Sequence, residues 1–254
     1  MKLLNYLVAI IICLSFYSCA HKSGHHKDDR RRPSSLNESE FGSRETACEQ
    51  GSRDLRVTLS NNRGDNNKLD GSQIFAKYNS AVFMVFTSDG YNEYQGSGFF
   101  INSEGLAVSS YHIFDNTDIG SVQIKLAGSD NPYKVAEVIQ ASEDKDFFLF
   151  RVNVSNTNYI PLSKYKPQVG EKVYAIGSPH GLENTFSSGE VSQWRDADLM
   201  QISALLDYGS SGGALFNEYG EVVGITAGTF AVGSQANLNF AWSIDVVKPF
   251  VVDK

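Results

Sequence analysis

Cysteine, proline and basic residues are scarce in this sequence of 254 residues, and the scarcity narrows what the chain can be. Its three cysteines are too few for a disulfide framework. Basic residues number 22 against 29 acidic ones, and a chain of net charge −7 repels phosphate backbones, so we expect no nucleic-acid partner. Hydrophobic residues make up 41% of the chain, which is enough for a large core and excludes wholesale disorder.

The apolar run near the amino terminus, Leu3 to Tyr17, is shorter than the roughly 20 residues that a membrane-spanning helix needs. With Lys2 before it and Ser18-Cys19-Ala20 after it, the run has the three parts of an export signal. Cys19 directly after a small residue resembles a bacterial lipobox, in which the cysteine receives a diacylglycerol. We therefore expect a lipoprotein-type signal peptide at 1–18 and a lipid anchor on Cys19. This would hold the protein in the bacterial cell envelope, in the periplasm or at the outer membrane. An ordinary signal peptide or an uncleaved anchor is the alternative.

Residues 19–72 are strongly polar, and such a stretch cannot bury enough surface to offset its chain entropy. We therefore predict a flexible tether over 19–72 and a folded domain over 73–254. His21, His25 and His26 in the tether could bind a metal ion, but nothing in a solvated tail orders ligands around one geometry. We expect neither a metal site nor a cofactor.

The folded part contains about a dozen short runs rich in β-branched and aromatic residues, each bounded by turn residues. No long amphipathic helix separates them, which predicts an all-β barrel or sandwich. Gln73 to Tyr78 has room for one or two helical turns, and Asp245 to Val252 looks helical. The predicted strands are 81–87, 98–101, 106–109, 122–126, 135–139, 147–152, 173–176, 190–193, 200–205, 214–216, 222–226 and 238–242.

The segment Asp207 to Leu215 places Ser211 among glycines between two predicted strands. Glycines allow a tight turn that exposes a hydroxyl, and the N–H groups of Gly209 and Ser211 could converge as an oxyanion hole. By itself, such a string is more often an ordinary loop. It also fits the Gly-x-Ser-x-Gly elbow of α/β-hydrolases. That fold places its histidine after the serine, however, and no histidine follows residue 180 here.

A nucleophilic serine needs an imidazole base and a group that orients it. Three of the five histidines lie in the predicted tether, which leaves His112 and His180. His112 follows the second strand of a predicted hairpin. Asp146 stands immediately before a fully apolar run, where its carboxylate can hold an imidazole in one tautomer while partly shielded from water. Asp144, two residues earlier, is the alternative acid.

Several short motifs in a fixed order make residues 73–254 resemble the trypsin-like serine peptidases, in particular the HtrA (DegP/DegS) branch. The resemblance implies two six-stranded antiparallel β-barrels with the active site in the cleft between them, polypeptide substrates and no cofactor. The motifs are Gly96-Ser97-Gly98-Phe99, the segment around His112, the strand after Asp146, Ala175-Ile176-Gly177-Ser178-Pro179-His180-Gly181, Gly209-Ser210-Ser211-Gly212-Gly213 and Asn239-Phe240-Ala241-Trp242-Ser243.

The resemblance also assigns roles. Ser211 is expected to be the nucleophile, His112 the general base and then acid, and Asp146 the orienting carboxylate. The N–H groups of Gly209, Ser210 and Ser211 are expected to form the oxyanion hole, and His180 to be structural. Substrate-binding residues are expected at Leu205, Ile225, Thr226, Ala227 and Gly228, with apolar Leu205 favouring an apolar residue before the scissile bond.

Tyr111, Phe148, Ser210 and Ala214 depart from the family pattern. None removes a catalytic atom, although each could shift the geometry. Ser210 replaces the aspartate that pairs with a freshly cut amino terminus in digestive enzymes, so we expect that clipping the tether does not activate the enzyme. HtrA proteins continue into PDZ domains, and we expect none here, because the chain ends after the last protease motif.

Three functions fit these observations. The favoured one is an exported serine endopeptidase acting on polypeptides, such as unfolded or envelope proteins. The alternative is a catalytically weak or inactive module of the same fold that binds partners at the cell envelope. The third is an all-β scaffold with an accidental serine–glycine loop, which would leave His112 far from Ser211.

Overall fold

The computed structural model describes residues 57–59, 67–129, 131–229 and 238–253, with the backbone alone for 57–59, 229 and 252–253. The predicted signal peptide, Cys19 and the three tether histidines lie outside the described residues. Within these ranges, no helix has both the length and the apolar character needed to cross a bilayer.

Short strands dominate the described part of the chain, as the sequence predicted. They are β1 (Val57–Leu59), β2 (Val82–Ser88), β3 (Glu93–Phe100), β4 (Leu106–Ser109), β5 (Gln123–Leu126), β6 (Pro132–Tyr133), β7 (Val135–Ser142), β8 (Phe147–Val152), β9 (Lys172–Gly177), β10 (Thr185–Trp194), β11 (Leu199–Ile202), β12 (Ala214–Phe216), β13 (Val222–Thr229), β14 (Asn239–Ser243) and β15 (Val251–Asp253). The α-helix, α1, is Gly71–Tyr78. Turns of 3₁₀ helix occur at Asn79–Ala81, Tyr111–Ile113, Ile119–Ser121, Pro179–Gly181, Ile244–Val246 and Lys248–Phe250.

Helix α1 begins with a capping box. The carboxylate of Asp70 accepts a hydrogen bond from the N–H of Gln73, and the side chain of Gln73 accepts one from the N–H of Asp70, both at 2.9 Å. These bonds satisfy N–H groups that the first turn of a helix leaves without partners. Ile74 and Tyr78 form the buried face, so the helix packs on the core with the two turns predicted for it.

Thirteen of the fifteen described strands form two curved antiparallel sheets. Six close into a barrel in the order β10-β11-β14-β13-β12-β9, and seven form a sheet in the order β6-β5-β2-β3-β4-β8-β7. The sequence neighbours β6 and β7 lie at opposite edges of the second sheet, with only Lys134 between them, so this sheet curls back on itself. The predicted double-barrel fold is confirmed, but the first barrel has seven strands and is an open half-barrel. Its ladder stops at β6, which is two residues long and begins with Pro132, a residue without an N–H to donate.

Three clusters of buried side chains support these sheets. One fills the half-barrel, one fills the closed barrel, and the largest joins both sheets to α1. Members of the largest include Ile74, Val82, Phe99, Leu149, Ile176, Phe216 and Ile225. Burial of apolar surface stabilises a fold by about 25 cal/mol per Å². The shared cluster is therefore the main contribution to holding the two sheets against each other.

One prediction about the end of the domain is wrong. The segment predicted as a helix, Asp245 to Val252, forms two 3₁₀ turns and then β15, because Pro249 limits a helix and β15 pairs with another strand. That partner is β1, which lies parallel to β15 with Val57 opposite Val251. Residues 57–59 therefore belong to a sheet although they fall within the predicted tether. Leu69 and Lys68 also contact the domain, through a hydrogen bond and an ion pair to Glu218.

Candidate active site

The half-barrel brings His112 and Asp146 together because β4 and β8 are antiparallel neighbours. Ser109 at the end of β4 lies opposite Phe148 near the start of β8. His112 follows β4 in a 3₁₀ turn, and Asp146 precedes β8, so both stand at the same edge of the sheet. Asp146 has a positive φ of 44°, which aspartate tolerates better than most residues.

The carboxylate of Asp146 contacts His112 at two places. Its oxygens lie 2.9 and 3.0 Å from Nδ1 of the imidazole, and Oδ1 also accepts the backbone N–H of His112 at 2.9 Å. The side chain of Asp146 is only 16% exposed, so water competes little for these oxygens. The carboxylate thus holds a proton on Nδ1 and leaves Nε2 able to accept one. Asp144, the alternative acid, is exposed.

Ser211 lies in the loop between β11 and β12 and shares a cavity of about 500 Å³ with His112. Gly209, Ala227 and Gly228 line the same cavity. A Cβ atom on Gly228 would stand 3.3 Å from the hydroxyl of Ser211, and Gly228 has a φ of 95° that side chains rarely adopt. This cavity is therefore open next to the serine because the neighbouring residue has no side chain. That both residues line one cavity speaks against the third alternative, a scaffold in which His112 lies far from Ser211.

Hydrogen bonds fix the orientation of the peptide groups around Ser211. The carbonyl of Tyr208 accepts the N–H of His180 at 2.8 Å, and the carbonyl of Ser210 accepts the hydroxyl of Thr226 at 2.6 Å. In a trans peptide, the N–H points opposite to the carbonyl, so the N–H groups of Gly209 and Ser211 point away from these partners. Neither N–H donates a hydrogen bond within the described part of the chain.

The third predicted donor, Ser210, is placed differently. Its N–H donates to the carbonyl of Asp207 at 2.9 Å. The arrangement leaves Gly209 and Ser211 as the two N–H groups available for an oxyanion.

The predicted substrate pocket is divided. Ala227 and Gly228 line the cavity that contains Ser211. Leu205, which is 62% exposed, and Thr226 line a second cavity of about 350 Å³ on the other side of the loop. The side chain of Ile225 is fully buried in the core and lines neither cavity. A contact of Ile225 with the substrate stays a prediction.

His180 lies at the mouth of the first cavity. Its Nε2 stands 3.1 Å from a carboxylate oxygen of Asp207, and both side chains are largely exposed. The N–H of Tyr208 and this imidazole together hold the pKa of Asp207 below its ordinary value. His180 was predicted to be structural, and its backbone N–H does hold the loop before Ser211. Its side chain, however, faces the same cavity as His112.

The four departures from the family pattern are accommodated by packing. Phe148 stacks on Phe114 with ring centroids 4.0 Å apart, and Tyr111 packs against the same cluster. Ser210 is buried, and its hydroxyl accepts the N–H of Asp207 at 3.3 Å. Ala214 is buried in β12.

Sequence reasoning missed Ser97 and Thr226 as residues that hold the serine loop. Ser97 bonds to the loop through its N–H and its hydroxyl, and the Thr226 hydroxyl bonds to Ser210. The available signals were that Ser97 belongs to the Gly96-Ser97-Gly98-Phe99 motif and that Thr226 is a polar residue in a largely apolar strand. Among the described residues, no group of three or more histidine, cysteine or acidic side chains could hold a metal ion.

Comparisons with known proteins agree with this geometry. Residues 96–225, just over half of the chain, match the family described as Trypsin-like peptidase domain. The mitochondrial serine protease HTRA2 of Drosophila grimshawi is 31% identical over 216 residues, which cover 76% of this chain and 49% of the relative. HTRA2 of Drosophila ananassae is 32% identical over 182 residues, which cover 66% of this chain and 41% of the relative. The chain thus spans half, or somewhat less than half, of the length of these curated relatives.

Among solved structures, the serine endoprotease from Yersinia pestis superposes with a TM-score of 0.64 at 22% sequence identity, covering 72% of this chain and 66% of that one. This match shows the shared fold. Together with the matched family and the relatives, it shows that the chain belongs to the trypsin-like peptidase family, in its HtrA branch.

Proposed function

We propose that the protein is a serine endopeptidase of the bacterial cell envelope that cleaves polypeptides through an acyl-enzyme. One observation carries the proposal: Nδ1 of His112 lies 2.9 Å from the carboxylate of Asp146, while the imidazole lines the same cavity as Ser211. A paired imidazole beside a serine hydroxyl is what nucleophilic acyl transfer requires.

In the proposed reaction, His112 accepts the proton of the Ser211 hydroxyl as the serine oxygen attacks the peptide carbonyl. The negative charge that develops on the carbonyl oxygen is stabilised by the N–H groups of Gly209 and Ser211. His112 then gives its proton to the leaving amine, and the C–N bond breaks. Water, activated by the same imidazole, hydrolyses the ester on Ser211. Asp146 stays ionised and stabilises the imidazolium in both steps.

Two features support a preference for an apolar residue before the scissile bond. Leu205 and its neighbour Leu206 line the second cavity together with Phe186. No lysine or arginine lines either cavity, and no acidic side chain other than Asp207 lines the second one. Cleavage of a peptide library mainly after lysine or arginine would contradict this preference.

Labelling of Ser211 tests the function itself. A fluorophosphonate probe reacts with a serine activated by an imidazole, so the wild-type protein is expected to be labelled and Ser211→Ala is not. Ser203→Ala, which removes a hydroxyl from an exposed serine before the loop, is the matched control and should be labelled like the wild type. A well-folded wild-type protein that is not labelled would favour the alternative, a binding module of the same fold.

The envelope location rests on the sequence around Cys19, because those residues lie outside the described part. Lipidation is expected to be lost in Cys19→Ala, so the variant should leave the membrane fraction for the soluble fraction and should not incorporate a labelled fatty acid. A wild-type protein found entirely in the soluble fraction would contradict the lipid anchor.

A further inference from the structure

Ser97 is a buried serine whose polar atoms are all used by hydrogen bonds. It lies in β3 of the half-barrel and is fully buried. Its hydroxyl donates to the carbonyl of Gly209 at 2.7 Å and accepts the N–H of Ser178 at 2.9 Å. Its N–H donates to the carbonyl of Ser211 at 2.8 Å, and its carbonyl accepts the hydroxyl of Ser109 at 2.6 Å. Ser97 thus binds the carbonyl groups of the two residues that flank Ser210, namely Gly209 and Ser211.

Gly209 is a residue at which the backbone of the loop can rotate easily. It has a φ of 94°, and glycine has the least steric resistance to turning about its backbone bonds. Its N–H is one of the two groups available for the oxyanion, so a rotation here would remove a donor from the cavity. The peptide before Gly209 is held by the N–H of His180, and the peptide after it is held by the hydroxyl of Ser97.

We propose that Ser97 is a positioning residue for catalysis: by holding the Gly209 carbonyl it fixes the peptide after Gly209, and so it restrains the rotation at this glycine that would turn the Gly209 N–H out of the cavity. The inference rests on the proposed function and deepens it. Ser97 does not line the cavity and so acts through Gly209, without touching the substrate. Because the hydroxyl of Ser97 is buried and saturated, removing it leaves the Gly209 carbonyl without that partner, and water cannot easily replace it.

The alanine variant is suited to the test because it creates no clash. Ser97→Ala removes one oxygen atom and adds no atom. Ser163→Ala is the matched control: Ser163 is also buried, and its hydroxyl also donates to a backbone carbonyl, that of Tyr165 at 3.0 Å, away from the cavity. Ser97→Cys, which keeps a weak donor, is the second variant in case the alanine variant folds poorly.

The first measurement is amide hydrogen exchange of the segment 207–213, which does not depend on activity. Exchange of the hydrogen-bonded N–H groups there is expected to be faster in Ser97→Ala and unchanged in Ser163→Ala. The second measurement is kinetic. The kcat is expected to fall about 10- to 100-fold with KM within about twofold, since a donor for the oxyanion is misplaced while substrate contacts are kept. Binding of a peptide aldehyde, whose adduct carries an oxyanion, should weaken by the same factor as kcat.

Each result decides the proposal. Faster exchange together with the loss in kcat supports it, and an intermediate loss in Ser97→Cys supports it further. Unchanged exchange in Ser97→Ala would overturn it, and so would a rise in KM with an unchanged kcat, or equal losses in both alanine variants. If the wild-type protein is not labelled by the fluorophosphonate probe, the proposed function fails separately, and the exchange measurement still decides whether Ser97 holds the loop.

Discussion

Replacing Asp146 by asparagine should abolish most activity while leaving the fold intact. In the wild-type protein, Oδ1 accepts the N–H of His112 at 2.9 Å, and Oδ2 lies 2.9 Å from Nδ1. An asparagine has one acceptor oxygen, and the N–H of His112 requires it at the Oδ1 position. The amide NH₂ then faces Nδ1 and donates to it, which places the imidazole proton on Nε2. In that tautomer, His112 cannot accept the proton of Ser211.

The expected size of this effect follows from the role of the carboxylate. A wrong tautomer with preserved geometry lowers kcat by about 10,000-fold, which corresponds to about 5.4 kcal/mol of transition-state stabilisation. Asparagine also tolerates the positive φ of 44° at this position, so the melting temperature should change little. The assay is kcat/KM on a peptide substrate at neutral pH, with thermal unfolding as the check on folding.

Asp144→Asn is the control. It also removes one carboxylate charge, but from an exposed residue that lies two positions before Asp146. It should retain at least half of the wild-type kcat/KM. The reasoning would be refuted if Asp146→Asn kept more than a tenth of the activity, or if Asp144→Asn lost as much as Asp146→Asn.

Three further predictions follow from single residues. Gly228→Ala should lower kcat/KM at least about tenfold, because its Cβ would stand 3.3 Å from the Ser211 hydroxyl and small displacements there are costly. Phe216→Ala should lower the free energy of unfolding by about 3–5 kcal/mol in chemical denaturation, since this fully buried ring stacks on Tyr78. The pKa of Asp89 is lowered by the N–H of Asn92, by other backbone and side-chain donors and by the Tyr94 hydroxyl. The ionised Asp89 side chain therefore stabilises the folded state fully above its unfolded-state pKa of about 3.9. This stabilisation is lost as the pH falls through the lower folded-state pKa.

Each of these predictions has a control within the chain. Gly128 also has a positive φ, but a Cβ there meets nothing within 4 Å, so Gly128→Ala should keep full activity. Phe86 is 36% exposed, and Phe86→Ala should cost much less stability than the change at Phe216. For Asp89, the difference in unfolding free energy between the wild type and Asp89→Asn should narrow as the pH falls below about 4. A difference that widens instead would contradict the lowered pKa.

The sequence predicted the buried strands best. The bounds of β4, β8 and β12 agree with prediction, because each is a run of buried residues that ends at turn residues on both sides. The beginning of β10 was missed, since Thr185 to Ser188 is partly exposed and Phe186 is its only apolar residue. β1 was missed because three residues are too few to show an alternating pattern.

The pairing of His112 with Asp146 was predicted, whereas the residues that hold the serine loop were not. A histidine directly after one strand and an acid directly before another form a clear sequence pattern. The order of the motifs along the chain, which is that of the trypsin-like peptidases, supports the pairing. Ser97 and Gly209 are separated by 112 positions, and a hydroxyl bonded to a distant carbonyl leaves no local pattern in the sequence. Ser210 was misplaced for a different reason: its N–H donates to Asp207, three residues earlier, and the residue types in the loop do not show which N–H groups are used in this way.

The bonds from Ser97 to the serine loop connect β3 of the half-barrel with a loop of the closed barrel. A copy of the chain in which only one sheet has formed therefore carries Ser211 without the support that makes it reactive. On the proposed function, hydrolytic activity therefore requires that the two sheets have docked. A molecule whose two sheets have not yet docked would thus not cleave its neighbours.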